Sequence, residues 1–331
     1  MKQSKRIEYI DAAKGIAILL MIVGHCYWRK AIPGLSGFIY SFHMPLFFII
    51  SGMFWKSLSI KAAFGKYAKS YLWPYLIICI AILFIDLANA GLYGGSMPEI
   101  VQNGFLKIVW ASNCLKPILF GDMPCIGAAW FLFALFWANV LLNLFLRFVG
   151  GGRKLGLLVL MATCVSLESI RVMEIPFSFQ AGMVAILYVY IGKLVKEFRI
   201  LDIVHSTSPR FKSSVYCFWI VVSLCTSGVD IGSGNLGFGI VGLTMSLIGS
   251  FIVMDVCRQF NLRMRWIGCN TLSILAAHIV VCNCLTLFGW HAETLPFAPL
   301  VNMLLELTLN ISWALAVGWA FSNLRILRYP W

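Results

Sequence analysis

Charge is what this chain has least of. Only 12% of its 331 residues are Asp, Glu, Lys or Arg, and just 13 are acidic. A soluble globular domain carries about 25% charged residues, so there are too few polar side chains here to coat a water-facing surface. Metal-type cysteine spacing is missing as well. Eleven cysteines occur, with no CxxC and no Cys/His pattern of the zinc type. Most lie inside apolar runs, as Cys26, Cys79, Cys164, Cys217, Cys225, Cys257 and Cys282 do, where a thiol behaves as a small hydrophobe. Cys114 and Cys125 share one connection and are the pair placed to bridge. No strand-type alternation competes with helix, and lipid admits only helices or closed barrels.

What is present is apolar surface: 60% of the residues are hydrophobic. A span takes about 20 mostly apolar residues. Such runs fall at 9–28, 38–55, 71–90, 127–146, 155–170, 177–194, 213–228, 237–255, 267–290 and 298–321. The expected fold is an all-α polytopic membrane bundle of about ten helices. It forms one membrane-embedded domain over 1–331, with no separate soluble part. Break signals stand at the joints, among them Pro33-Gly34, Gly150-Gly151-Gly152, Ser208-Pro209 and Pro296. The basic MKQSKR start leads into an apolar run without a small-residue cleavage site, which reads as a retained first helix.

The net charge of +13 does not indicate nucleic acid, because the basic residues sit in short clusters between apolar runs. Lys and Arg accumulate on cytoplasmic loops. With both termini inside, only Arg29, Lys30, Lys107, Lys116 and Arg171 of the 26 basic residues fall outside. The longest connection, 91–126, contains Gly91, Gly94, Gly95, Pro98, Pro117 and Pro124. It reads as a loop, either a cap or re-entrant segment on the outer face or a surface loop lying on the headgroups.

Ionisable residues inside a span are costly and point to function. The first span holds Asp11, Lys14 and His25. Lys14 and His25 are separated by three helical turns plus about 20°, so they share a face about 16 Å apart. Asp11, one turn from Lys14, is its natural counter-ion. The bland alternative is a snorkelling lysine and a tolerated histidine. The second span adds His43, which a short antiparallel connection should bring to the depth of His25. Histidine is the usual general acid or base near neutral pH. No third ligand at fixed spacing supports a metal, and none is expected.

Lys14-(ten residues)-His25 within YIDAAKGIAILLMIVGH resembles the basic-x10-His signature of the acyltransferase-3 family. FIYSFHMPLFFIISGMFW, around His43, is similar to that family's second-span motif. Lys66 and Lys69 in KYAKSYLWPY resemble its basic pair before the third span. Trp130-Phe131-Leu132 and TLSILAAHIVV, with Ser273 and His278, resemble later motifs. The likeness runs along nearly the whole chain. One departure is Lys14, where the family often has Arg; a point charge replaces a planar fork.

The resemblance implies a bacterial multi-pass protein of the plasma (inner) membrane. It would move an acetyl group from cytoplasmic acetyl-CoA to a hydroxyl of an extracytoplasmic or lipid-linked surface glycan. His25 would be general base, or would carry an acetyl-histidine intermediate, and His43 would orient it or bind the acceptor. Lys14, with Lys66 and Lys69, would hold the donor. Tyr40, Trp130 and His278 are candidates for the acceptor side, with Trp28 a further aromatic there. Topology signalling alone explains most of the inner basic residues, and belt membership explains the interfacial aromatics. Relatives often append an esterase-like domain; this chain ends about ten residues after its last span, so acceptor handling is expected in the membrane part. The rival readings are a transporter or flippase of a lipid-linked sugar, a membrane glycosyltransferase or glycan polymerase, and the same fold with a succinyl donor. No second Lys14/His25 pattern appears in the other half, against the inverted repeats common in transporters. Acceptor identity and oligomeric state are left open.

Overall fold

A computed structural model of the chain describes residues 7–26, 32–111, 117–118, 121–122, 124–149, 156–157, 159–161, 163, 175–226, 228–287 and 299–323. The protein is a helix bundle; the strand pairing among the described residues is a two-residue hairpin, Pro117–Ile118 with Gly121–Asp122, and an isolated bridge between Asp230 and Asn235. Six helical stretches there are long and apolar enough to cross a membrane: Gly34–Met53, Ile60–Tyr93, Gly127–Val149, Pro176–Glu197, Ile240–Gln259 and Val301–Asn323.

Helix α1 (Glu8–His25) is also 18 residues long, but its first two turns hold Glu8, Asp11 and Lys14. The two carboxylates complement the positive N-terminal end of the helix. Helix α2 (Pro33–Tyr40) starts on a proline, whose missing N–H costs nothing in a first turn. A break at Ser41-Phe42 separates it from α3 (His43–Met53). Helix α4 (Ile60–Tyr67) is capped by the Ser59 hydroxyl, which accepts from the Ala62 amide at 3.2 Å. A π-helical turn, Ala68–Leu72, joins it to α5 (Trp73–Tyr93). The third span therefore belongs to a 34-residue helical stretch starting at Ile60, well before the expected 71.

The segment expected as a long loop contains a helix of 14 residues. After a turn at Gly94, at φ 82°, α6 (Met97–Trp110) runs back antiparallel to α5. Gly104 lets the Leu83 side chain approach, and the Tyr75 hydroxyl donates to the Ile108 carbonyl at 2.8 Å. The two helices form a fastened hairpin, hidden from sequence inspection by its glycines and prolines. Cys114, of the proposed bridging pair, lies outside the described residues.

The centre is built by α7 (Trp130–Val149), α8 (Phe179–Glu197) and α3. Gly52 and Gly192 face each other so closely that a Cβ on either would strike the other helix's backbone carbonyl. In lipid, where apolar surface alone gives helices little reason to associate, such small-residue contacts hold them together. The rest of the bundle comprises α9 (Ile200–Ser206), α10 (Pro209–Cys225), α11 (Ile240–Gln259), α12 (Arg265–Cys269), α13 (Thr271–Leu287) and α14 (Pro299–Asn323). Nine of the ten segments marked in the sequence carry these helices. The other, 155–170, lies largely outside the described residues, as do Trp28, Arg29, Lys30, Lys116 and Arg171.

Candidate functional site

His25 occupies the last turn of α1 and is exposed. Its Nδ1 lies 2.8 Å from the Met21 carbonyl. A carbonyl can only accept, so Nδ1 carries the proton, and in the neutral ring the basic lone pair belongs to Nε2. His43, at the start of α3, has the same local arrangement, with Nδ1 donating to the Ile39 carbonyl at 2.8 Å. Two helical histidines thus each use the carbonyl four residues earlier to fix the tautomer.

The ring that packs on His25 belongs to His278, in the middle of α13. The centroids are 5.5 Å apart and the planes meet at 70°. His278 is only 3% exposed, and the Cys282 thiol lies 3.6 Å from its Nδ1. His43 and the end of α1 both meet Tyr40. The Tyr40 ring meets the His43 ring edge-on at 4.9 Å, while the Tyr40 hydroxyl reaches the Gly24 carbonyl at 3.5 Å. Tyr40 therefore links His43 to the backbone immediately before His25. Gly24 allows that approach, since a Cβ there would lie 3.3 Å from the Tyr40 ring.

A third helix completes this end. Asn302, Glu306 and Asn310, spaced by four, form one stripe on α14. All three are buried at 6–9% exposure. The Asn310 Nδ2 donates to the Cys26 thiol at 3.6 Å, and its Oδ1 has no partner among the described residues. Glu306 is near enough to Cys26 and Cys282 to act on both electrostatically. The stripe is visible in the sequence as three polar residues at helical spacing in an apolar run, but buried amides carry no charge to attract notice.

Lys14 is held lower on α1. Its Nζ pairs with the Asp11 carboxylate at 2.7 Å, with Asp11 itself 6% exposed. Helix α12 presses against this turn: Gly268 packs so near the Asp11 carbonyl that a Cβ would not fit, and the Cys269 thiol lies 3.6 Å from Asp11 Oδ2. The ion pair expected from the i,i+3 spacing is present, and α12 supplies its enclosure.

Lys66 is exposed, its ammonium 4.9 Å from the Tyr67 ring centre, and Lys69 is exposed in the π-helical turn. Lys56, Lys61, Arg147, Arg263 and Arg265 are exposed too. Trp130 is 5% exposed, its ring against Phe131, so it offers little open face for a sugar. No group of three His, Cys, Asp or Glu side chains among the described residues could hold a metal ion.

A second polar cluster escaped the sequence reading. Asp255, on α11 and 2% exposed, accepts from Lys212 at 2.8 Å, Tyr216 at 2.6 Å, Gln259 at 2.7 Å and His205 Nδ1 at 2.9 Å. One turn on, Arg258 bonds Asp202 at 2.8 Å. The hydrogen bonds from Arg258 and Arg199 hold the Asp202 carboxyl below its ordinary range. The cluster ties α9, α10 and α11 together.

A family model described as "Acyltransferase domain" matches residues 7–323. The chain is 28% identical over 151 residues to the nodulation protein NolL of Mesorhizobium japonicum. That match takes in 42% of this chain and 35% of the relative. No solved structure gives a significant match.

Proposed function

The chain belongs to the acyltransferase family whose domain model spans residues 7–323, and from that premise we propose that it is a membrane O-acetyltransferase. It takes acetyl from cytoplasmic acetyl-CoA and delivers it to a hydroxyl of an extracytoplasmic or lipid-linked surface glycan. The bundle crosses the bacterial plasma membrane ten times with both termini in the cytoplasm. The observation that carries this reading is the pairing of His25, whose Nδ1 bond to the Met21 carbonyl leaves the basic lone pair on Nε2, with the Lys14–Asp11 ion pair three turns below on the same helix face.

A nucleotide's phosphates do not enter hydrocarbon, so the donor's head stays among the exposed basic residues at the inner ends of the helices, with Lys66 and Lys69 within that set. The thin pantetheine arm reaches past Lys14 toward His25. The Nε2 of His25 removes the proton from the acceptor hydroxyl as its oxygen attacks the thioester carbonyl. The tetrahedral adduct collapses, the carbon–sulfur bond breaks, and the imidazolium returns the proton to the departing thiolate. His278 braces the ring of His25 from the bundle side, and His43 acts through Tyr40 to set the end of α1.

Comparing surface glycans from cells with and without the gene tests this reading. Loss of an O-acetyl mass increment on an otherwise intact polymer is the expected result. A succinyl increment would change the donor, and loss of the whole polymer would replace the enzyme with a transporter or polymerase.

A further inference from the structure

The hairpin of α5 and α6 walls a cleft of about 500 Å³ that shares no residue with the histidine site. We propose that this cleft is a docking subsite for the acceptor glycan, which binds there as a neutral, polyhydroxylated chain. The inference deepens the O-acetyltransferase reading and rests on it for the identity of the ligand.

Four features point to sugar. The size falls within the roughly 300–1,000 Å³ of small-molecule sites. The cleft is lined by two carboxamides, Asn89 and Asn103, both exposed and neither hydrogen-bonded to the described residues. A carboxamide offers a donor and an acceptor side by side, which suits neighbouring hydroxyls on a pyranose. Tyr93, 66% exposed, presents an aromatic ring at the rim, and such a ring combines an apolar body with a polar tip. The formal charges cancel: Lys107 Nζ lies 2.7 Å from Asp86 Oδ2, leaving no spare cation in the lining. A phosphorylated ligand, whether the coenzyme or a phospholipid headgroup, would call for uncompensated positive charge. A neutral glycan does not.

The site is also firmly built. Tyr75 fastens the far end of α6 to α5, and Leu83 packs over Gly104. Pro124, just before the turn leading into α7, closes the third side. Helix α13, which carries His278, packs against α5. In the proposed topology α5 rises toward the outer surface, so the cleft opens where a surface glycan is available. A long acceptor anchored here would present one residue at a time to His25.

The test uses full-length protein in lipid nanodiscs, radiolabelled acetyl-CoA and the producing cell's own surface polysaccharide freed of O-acyl groups by mild alkali. The double variant Asn89→Ala/Asn103→Ala should raise the acceptor KM about ten-fold, the loss expected for two hydrogen bonds. The acetyl-CoA KM, kcat and thermal midpoint should not change. Saturation-transfer NMR with the same polysaccharide should show binding that the double variant loses. Wild-type transfer with no change of acceptor KM in the variant overturns the subsite alone. Binding that the variant loses, without acetyl transfer by the wild type, keeps the subsite and overturns the O-acetyltransferase reading. Neither binding nor transfer overturns both.

Discussion

The His25 ring stands edge-on against the His278 ring, 5.5 Å between centroids, with one imidazole accessible and the other buried at 3% exposure. The difference in exposure assigns different work to the two. An accessible ring can meet substrate and exchange protons, whereas a buried one can hold its neighbour in place. General-base removal costs about 10²–10⁴ in rate. His25→Ala should therefore lower acetyl transfer by that factor at unchanged expression and thermal midpoint. His278→Gln should cost less and alter the pH profile of the remaining activity, because it changes how His25 is braced. Activity assays across pH on both variants check this, and full activity of His25→Ala would remove it from the chemistry.

Lys14 has its charge neutralised by Asp11 at 2.7 Å. Lys14→Ala should weaken donor use, seen as a higher acetyl-CoA KM, more than Lys14→Arg, which keeps the cation but changes its shape. Removing Lys14 also strands the buried Asp11 carboxylate, so Asp11→Asn/Lys14→Ala should recover stability over the single variant without recovering donor affinity. Equal acetyl-CoA KM in all of these proteins would take Lys14 out of the donor path.

The first span was legible in detail because its polar residues are few and their helical spacing is unambiguous. Lys14, Asp11 and His25 lie as the periodicity requires. The partner of His25 was not legible, since His278 is some 250 positions away in sequence and only tertiary packing brings α13 to α1. The α5–α6 hairpin was missed for a local reason. Gly91, Gly94, Gly95 and Pro98 suggest a loop, yet Gly94 makes a single turn at positive φ and Pro98 falls in a first turn, where it is tolerated. The Asp255 cluster was not legible because position along a span says nothing of the four donors that converge on it from two other helices and its own.

The Gly52–Gly192 contact gives a stability prediction free of any catalytic assumption. Alanine has a better intrinsic helix propensity than glycine by about 1 kcal/mol, so Gly52→Ala would stabilise an open helix. Here the added methyl meets the Val189 carbonyl. Backbone cannot move aside as a side chain can, and overpacking of this kind costs roughly 1–3 kcal/mol or more. Gly52→Ala should lower the thermal midpoint in detergent, and Gly65→Ala, at a glycine with open space around it, should not. An unchanged midpoint in Gly52→Ala would mean that α3 and α8 are not in this contact.

Asp255 makes the sharpest demand on the fold. Its carboxylate is 2% exposed and Lys212 is 9% exposed, so each charge depends on the other. Breaking a buried pair by removing one partner costs about 3–5 kcal/mol, because the remaining charge is left uncompensated. Asp255→Asn keeps the shape and removes the charge. It should destabilise strongly, loosening α10, which reaches the cluster through Lys212 and Tyr216. Lys212→Met in the same chain removes the stranded ammonium and should restore much of the loss, since an apolar replacement of a buried pair is often neutral or better. Thermal unfolding of the two single variants and the double variant measures the coupling directly. Additive losses would show that the two side chains do not depend on each other in the membrane.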